Sequence, residues 1–263
     1  MASVASRVFA ITGGASGIGA ATASLLARRG AAGICVGDIS NQHFGCLEED
    51  IRRINPSTRL CCTILDVTSS AEVDRWIQSV VVTFGNLHGA ANIAGIAQGG
   101  GMRETPTILL EKNEEWHKIM RTNLDGIFYA TRAEVRAMND LRGSSIDRSI
   151  VNVGSIAGMY HEPDVYAYGT SKGACSYFTK CVAKDAFPSG IRVNNVSPGI
   201  TVTALLPQFN PKAKTIDEVK DLYMDEGFSL LQPDDVARTI VWLLSEDSRP
   251  VHGADINVGA SMP

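Results

Sequence analysis

An α/β fold built on a doubly wound parallel sheet is the architecture this sequence predicts, and three observations predict it. Strand-like apolar runs alternate with helical stretches along the chain, the pattern of βαβ units. The first run leads into a glycine-rich turn that opens a helical pattern. Polar residues with chemical potential follow the carboxyl ends of several runs, where open α/β sheets bind their ligands.

The strand-like runs fall near residues 8–12, 34–38, 60–65, 89–94, 150–153, 193–196 and 255–258, so about seven strands are expected, with helices on both faces. After the first, Thr12-Gly13-Gly14-Ala15-Ser16-Gly17-Ile18-Gly19 precedes a helical spacing of apolar residues at Ile18, Ala21, Leu25 and Leu26. The second ends at Asp38, nineteen residues beyond Gly19. The third leads to Ser69-Ser70-Ala71-Glu72, a capping-box spacing ahead of Val73, Ile77 and Val80. The fourth ends in Asn92-Ile93-Ala94-Gly95, and the fifth precedes Ser155 and a helix carrying Tyr168 and Lys172. The sixth leads to Pro198-Gly199. Gln98-Gly99-Gly100-Gly101 is expected to be a flexible connection and 140–148 a solvated surface turn. No linker or repeat interrupts the chain, so a single domain over 1–263 is expected.

Composition sets limits on function. With 44% hydrophobic and 20% charged residues the chain has material for a buried parallel sheet. A formal charge of −4 and the lack of a basic run give no reason to expect nucleic acid. Residues 8–11 are too short an apolar run for a signal-peptide core, and no stretch reaches the length of a membrane span. A soluble, cytoplasmic protein is expected. Six scattered cysteines and five scattered histidines form no disulfide or metal-ligand framework, so no metal is expected.

The chemistry lies in two places. Tyr168 and Lys172 are four residues apart, so a helix puts phenol and ammonium on one face, and Ser155 at a neighbouring strand end can meet them. A fixed cation favours phenolate, which would let a tyrosine exchange a proton with an alcohol or ketone. The glycines from Gly13 to Gly19 let backbone amides approach a pyrophosphate at a helix N-terminus. Asp38 would accept the hydroxyls of an adenosine ribose and repel a 2′-phosphate, and no Arg or Lys among Gly14, Ala15, Ser16, Ile39, Ser40 and Asn41 would offset that repulsion. The expected cofactor is therefore NAD.

With these residues in view the chain resembles the short-chain dehydrogenase/reductase family over nearly its whole length, which implies a Rossmann-like sheet. Thr12, Gly13, Gly17 and Gly19 match the family's glycine motif, Asp66-Val67 its Asp-Val, and Asn92-Ile93-Ala94-Gly95 its Asn-Asn-Ala-Gly with one asparagine replaced. Asn123, Ser155, Tyr168 and Lys172 match its four catalytic positions, and Pro198-Gly199 with Thr203 its nicotinamide-side loop. The resemblance implies Tyr168 as acid/base, Ser155 as hydrogen-bond partner of the substrate oxygen, and Lys172 as ribose ligand that also lowers the Tyr168 pKa. Asn123 would position a water continuing the proton path from Lys172. Gly13, Ser16, Gly17, Ile18, Gly19, Asp38, Ile39, Asp66, Val67, Asn92, Ala94, Gly95, Pro198, Gly199, Ile200 and Thr203 would border the cofactor. Where members commonly show Val-Asp-Gly-Gly, this chain has Val258-Gly259-Ala260-Ser261.

The segment 203–231 carries Leu205, Leu206, Pro207, Phe209, Leu222, Tyr223, Met224 and Phe228 among charged residues. In the family it resembles a substrate lid; packing of short helices onto the body explains the same residues equally well. His161 is a possible second donor to the substrate or a polar loop residue. Ala133, Val135, Ala174, Phe178 and Val182 supply a face for a homodimer or homotetramer, or for packing on the sheet. The leading expectation is an NAD-dependent enzyme interconverting a secondary alcohol and a ketone on a lipophilic substrate of steroid, terpenoid or polyketide type. An NAD-dependent epimerase, isomerase or lyase is the alternative, and a cofactor-sensing binding protein without turnover is a third reading.

Overall fold

The computed structural model describes residues 4–100, 106–141, 147–161, 163–210, 213, 215–225 and 227–259. Seven strands form one sheet: β1 (Val8–Thr12), β2 (Gly33–Asp38), β3 (Arg59–Ile64), β4 (Gly89–Asn92), β5 (Arg148–Val153), β6 (Ile191–Pro198) and β7 (Asp255–Val258). Their order is β3-β2-β1-β4-β5-β6-β7 and every pairing is parallel. The order reverses between β1 and β4, which creates the crevice where a nucleotide can enter.

The helices α1 (Gly17–Arg28), α2 (Phe44–Ile54) and α8 (Pro233–Leu244) cover one face, and α3 (Ser70–Phe84), α5 (Gly126–Asp140) and α6 (Tyr166–Ala186) cover the other. The residues of β1 show why both faces need cover. Phe9 and Ile11 pack with Leu26, Ile240 and Leu244, whereas Val8 and Ala10 pack with Val73, Ile77 and Ile150. Alternate side chains of a strand point to opposite faces, so a strand apolar throughout must be buried twice. Each fully buried Ile, Leu or Phe contributes roughly 1.5–3 kcal/mol. Two shorter helices lie in connections, α4 (Asn113–Met120) between β4 and α5 and α7 (Ile216–Asp225) between β6 and α8, and α4 runs through a π-helical turn, Arg121–Asp125, into α5.

The capping-box spacing before α3 is half realised. Ser69 Oγ accepts the Glu72 amide at 3.4 Å, but Glu72 Oε2 accepts the amide of Asp66 at 3.3 Å instead of that of Ser69. The expected surface turn at 140–148 needs correction at its end, residues 142–146 lying outside the described ones. Arg148 is buried in β5, and Asp147 accepts two hydrogen bonds from buried Arg192, at 2.8 and 3.0 Å. Asp147 and Arg192 are thus paired in the interior at the amino end of the sheet, where the linear sequence shows only a polar stretch.

Gln98 also departs from expectation. It is wholly buried, and the backbone amide of Gly100 donates to Phe209 O at 3.1 Å, so this connection is tied down. All six cysteines are free thiols. Among the described residues no group of three or more His, Cys, Asp and Glu side chains could hold a metal ion, and no helix is long and apolar enough to cross a membrane.

Candidate active site

The turn after β1 is shaped by close backbone contact. Gly13 has φ +64°, and a Cβ there would stand 2.7 Å from the Cα of Ala94, so glycine lets the β1 and β4 loops touch. Thr12 Oγ1 locks the same junction by accepting the amides of Ile93 and Ala94 at 3.1 and 3.4 Å. At the start of α1, Ser16 makes no side-chain cap bond and the first turn holds no carboxylate. Free amides and a positive dipole end are therefore turned outward, which suits an anion.

Asp38 closes β2 beside this turn. Its Oδ2 accepts the Ala15 amide at 3.1 Å and its Oδ1 that of Ser40 at 3.3 Å, which fixes the carboxylate and leaves lone pairs for hydroxyl donors. Ile39 next to it is exposed. Beyond β3, Asp66 Oδ1 accepts the Thr68 amide at 2.9 Å, and Val67 is buried against Gly126. These residues make a cradle that fits the adenosine and pyrophosphate of a nicotinamide dinucleotide.

A cleft of about 840 Å³ continues from the cradle and brings together Ile18, Gly95, Ser155, Tyr168, Lys172, Pro198, Gly199, Ile200 and Thr203. Ser155 follows β5 in extended conformation, and its Oγ accepts the Ala157 amide at 3.2 Å. Lys172, one turn of α6 beyond Tyr168, donates from Nζ to Val153 O at 3.0 Å and lies 5.7 Å from the centre of the Tyr168 ring. The far side is apolar: Leu206, Phe209, Leu222, Tyr223 and Phe228 line it together with Tyr160. His161 and Met159 do not line the cleft; His161 is an exposed loop residue.

Burial governs the electrostatics. It pushes the Tyr168 phenol up, and interaction with the Ser155 hydroxyl pulls the other way. It also pulls the Lys172 ammonium down. In the chain alone burial is the larger influence on the phenol, while the Lys172 ammonium donates to Val153 O and stands 5.7 Å from the ring centre.

Asn123 and Asn92 act through the backbone and the interior. Asn123, in the π-helical turn, is fully buried and grips Ile96 from both sides: Oδ1 accepts its amide at 2.8 Å and Nδ2 donates to its carbonyl at 3.0 Å. Gly95 packs between this clamp and Lys172: a Cβ there would stand 3.3 Å from Asn123 Oδ1 and 3.5 Å from Lys172 Nζ, so a residue without a side chain lets the loop lie close to both. Asn92 does not line the cleft. Its Nδ2 donates to Glu134 Oε2 at 2.9 Å and Asn152 Oδ1 at 3.0 Å, joining β4, β5 and α5 in the interior. Glu134 is buried completely and its carboxyl is pushed up to about 8. Neither Glu134 nor Gln98 gave a signal in the sequence, because their partners are remote along the chain.

The segment after Thr201 leaves the body and returns at Leu231 through a short parallel bridge. Val202 N donates to Leu231 O at 2.9 Å and Leu231 N to Ile200 O at 2.8 Å, so both ends are pinned beside the cleft. At the other end of the chain, Val258 O accepts the Gly199 amide at 3.0 Å, while Ala260 and Ser261 lie outside the described residues.

Comparison with known proteins agrees with this geometry. A family model described as enoyl-(acyl carrier protein) reductase matches residues 13–260. A chanoclavine-I dehydrogenase of Penicillium roqueforti is 70% identical over 263 residues, covering 100% of both chains. Among solved structures, levodione reductase superposes with a TM-score of 0.86 at 25% identity, covering 97% of this chain and 96% of that one. NAD+-bound xylitol dehydrogenase does so with a TM-score of 0.83 at 25% identity, covering 98% and 99%.

Proposed function

The chain belongs to the short-chain dehydrogenase/reductase family, and from that premise we propose that it is an NAD-dependent dehydrogenase whose substrate alcohol is chanoclavine-I or a close structural relative. That it is an oxidoreductase acting on a CH–OH group with a nicotinamide cofactor follows from the family and from relatives named as dehydrogenases. Full-length identity of 70% to a chanoclavine-I dehydrogenase carries the choice of substrate. The fixed carboxylate of Asp38, with no Arg or Lys beside it in the turn or among Ile39, Ser40 and Asn41, carries the choice of NAD over NADP.

The bound nicotinamide supplies a hydride acceptor. Ser155 holds the substrate oxygen, and Tyr168, with Lys172 behind it on α6, takes the hydroxyl proton. Lys172 Nζ and Asn123 Oδ1 both lie close to Gly95, which puts the Asn123 turn next to the ammonium that backs Tyr168. Leu206, Phe209, Leu222 and Phe228 exclude water and give the cleft its preference for a lipophilic body. This chemistry asks only for one hydrogen on the carbinol carbon. A primary alcohol yielding an aldehyde meets it as well as the secondary alcohol and ketone expected from the sequence. Subunit contact on α5 and α6, where Phe128 and Tyr177 are exposed, completes the proposal.

The test is incubation of the purified protein with chanoclavine-I and either NAD or NADP, following reduced-nicotinamide absorbance and product mass. Reduction of NAD with a product two hydrogens lighter is expected. A product of unchanged mass, with no net reduction, would place the enzyme among epimerases and isomerases instead.

A further inference from the structure

Tyr168 is the third residue of α6, and its backbone amide belongs to the first turn, which has no partner within the helix. The residue at the N-cap, Val165, has no side chain able to accept it. The acceptor comes from 70 residues away: Gln98 Oε1 takes the Tyr168 amide at 2.9 Å. On its other end Gln98 Nε2 donates to both carboxylate oxygens of Glu111, at 2.8 and 3.0 Å. A carboxylate accepts only, so Glu111 dictates which way the amide faces and keeps its carbonyl toward Tyr168. Gln98 is fully buried, where an unmet amide N–H costs most.

We propose that Gln98, oriented by Glu111, is a positioning residue that sets where the Tyr168 phenol stands relative to Ser155 and Lys172. This rests on the reading of Tyr168 as the proton acceptor. The connection that carries Gln98 has the means to do it. Two residues earlier, Ile96 is clamped by Asn123, and two residues later the Gly100 amide is bonded to Phe209 O, whose ring meets the Tyr168 ring edge-on. One short stretch of chain therefore ties the Asn123 turn, the start of α6 and the apolar wall of the cleft into a single frame. A shift of the first turn of α6 moves the phenol and leaves the cradle at Gly13 and Asp38 where it is.

The test compares Gln98→Met, Glu111→Ala, Glu111→Gln and Tyr168→Phe in the full-length protein. Gln98→Met keeps the volume and removes the acceptor. It is expected to lower kcat about 10-fold, by the tenfold-per-1.36 kcal/mol relation for one lost hydrogen bond. It should also displace the pH dependence of kcat and leave NADH affinity, read by fluorescence titration, within about twofold. Glu111→Ala frees the Gln98 amide to turn and should show the same signature. Glu111→Gln, which can still accept from Gln98, should restore most of what Glu111→Ala loses. Loss of NADH affinity in parallel with kcat, or wild-type kcat and pH profile in Gln98→Met, overturns the proposal while an inactive Tyr168→Phe leaves the proton-acceptor reading standing. Near-normal turnover in Tyr168→Phe overturns that reading itself. Should Gln98→Met fail to fold, the Glu111 pair decides.

Discussion

The amide of Ala15 is held by the carboxylate of Asp38 at 3.1 Å, so the residue proposed to meet the ribose also shapes the glycine-rich turn proposed to meet the pyrophosphate. Two functions therefore meet in one side chain, and a substitution must separate them. Asp38→Asn keeps an oxygen for the Ala15 amide and removes the charge. Since a juxtaposed like charge costs several kcal/mol, the ratio of kcat/KM for NAD over NADP is expected to shrink on the order of 10²-fold, mainly through better use of NADP. An unchanged ratio would mean that the carboxylate has no part in cofactor choice.

The Ser155 hydroxyl offsets part of the effect of burial on the Tyr168 phenol. Ser155→Ala should therefore move the pH at which alcohol oxidation reaches half its maximum upward. The base form of Tyr168 is needed, and without the serine it forms at higher pH. Loss of a donor to the reacting oxygen should also lower kcat on the order of 10²-fold. Steady-state rates across the pH range read both effects, and a fall in rate with no change in profile would remove Ser155 from the ionisation of Tyr168.

Phe209 meets Tyr168 edge-on with ring centres 4.9 Å apart, and it also lines the cleft. Aromatic pairs of this kind contribute about 0.5–1.5 kcal/mol beyond their buried area. Phe209→Ala should raise KM for the alcohol about 10-fold and leave the affinity for NAD intact, because the ring lies away from Asp38 and the Gly13 turn. A drop in NAD affinity of the same size would show that the segment holds cofactor and not substrate.

What the sequence disclosed follows from the range of the interactions. The strand at 8–12 was legible to the residue because an apolar run leads into a glycine turn, that at 255–258 because polar and apolar residues alternate between Gly253 and Gly259, and the pair Tyr168 and Lys172 because four residues is a helical spacing. Gln98 was not. A glutamine before three glycines has the local character of a flexible loop, and only the arrival of the Tyr168 amide and Glu111 from elsewhere makes it a buried strut. The same holds for Asp147, whose partner Arg192 is 45 residues away and is brought to it by the pairing of β5 with β6. The resemblance to a family supplied Asn123, but not its hydrogen bonds to both backbone groups of Ile96.

Two titrating groups, the buried Glu134 and the half-buried His88, set opposite slopes on stability. Burial lifts Glu134 to about 8 from its ordinary 4.5, so the folded state keeps a proton that the unfolded chain gives up; this stability is complete below 4.5 and is lost as pH rises through 8. Burial, followed by Arg7 and Arg148, lowers His88 from 6.5 to about 4, and its Nδ1 accepts the Val8 amide at 3.0 Å. There the unfolded chain binds the proton more readily, so stability is complete above 6.5 and is lost as pH falls toward 4. Between 4.5 and 6.5 the two slopes oppose each other, that of the half-exposed His88 being reduced by solvent, and from 6.5 to 8 only the loss due to Glu134 remains, about 1.4 kcal/mol per pH unit at most. Glu134→Gln keeps a neutral hydrogen-bonding group beside Asn92 and should abolish the alkaline decline. It should also expose the acid decline due to His88, so that stability rises up to pH 6.5 and then stays level. Denaturant midpoints at pH 5, 6.5 and 8 measure this, and parallel profiles for the wild type and the variant would mean that Glu134 is ionised alike in both states.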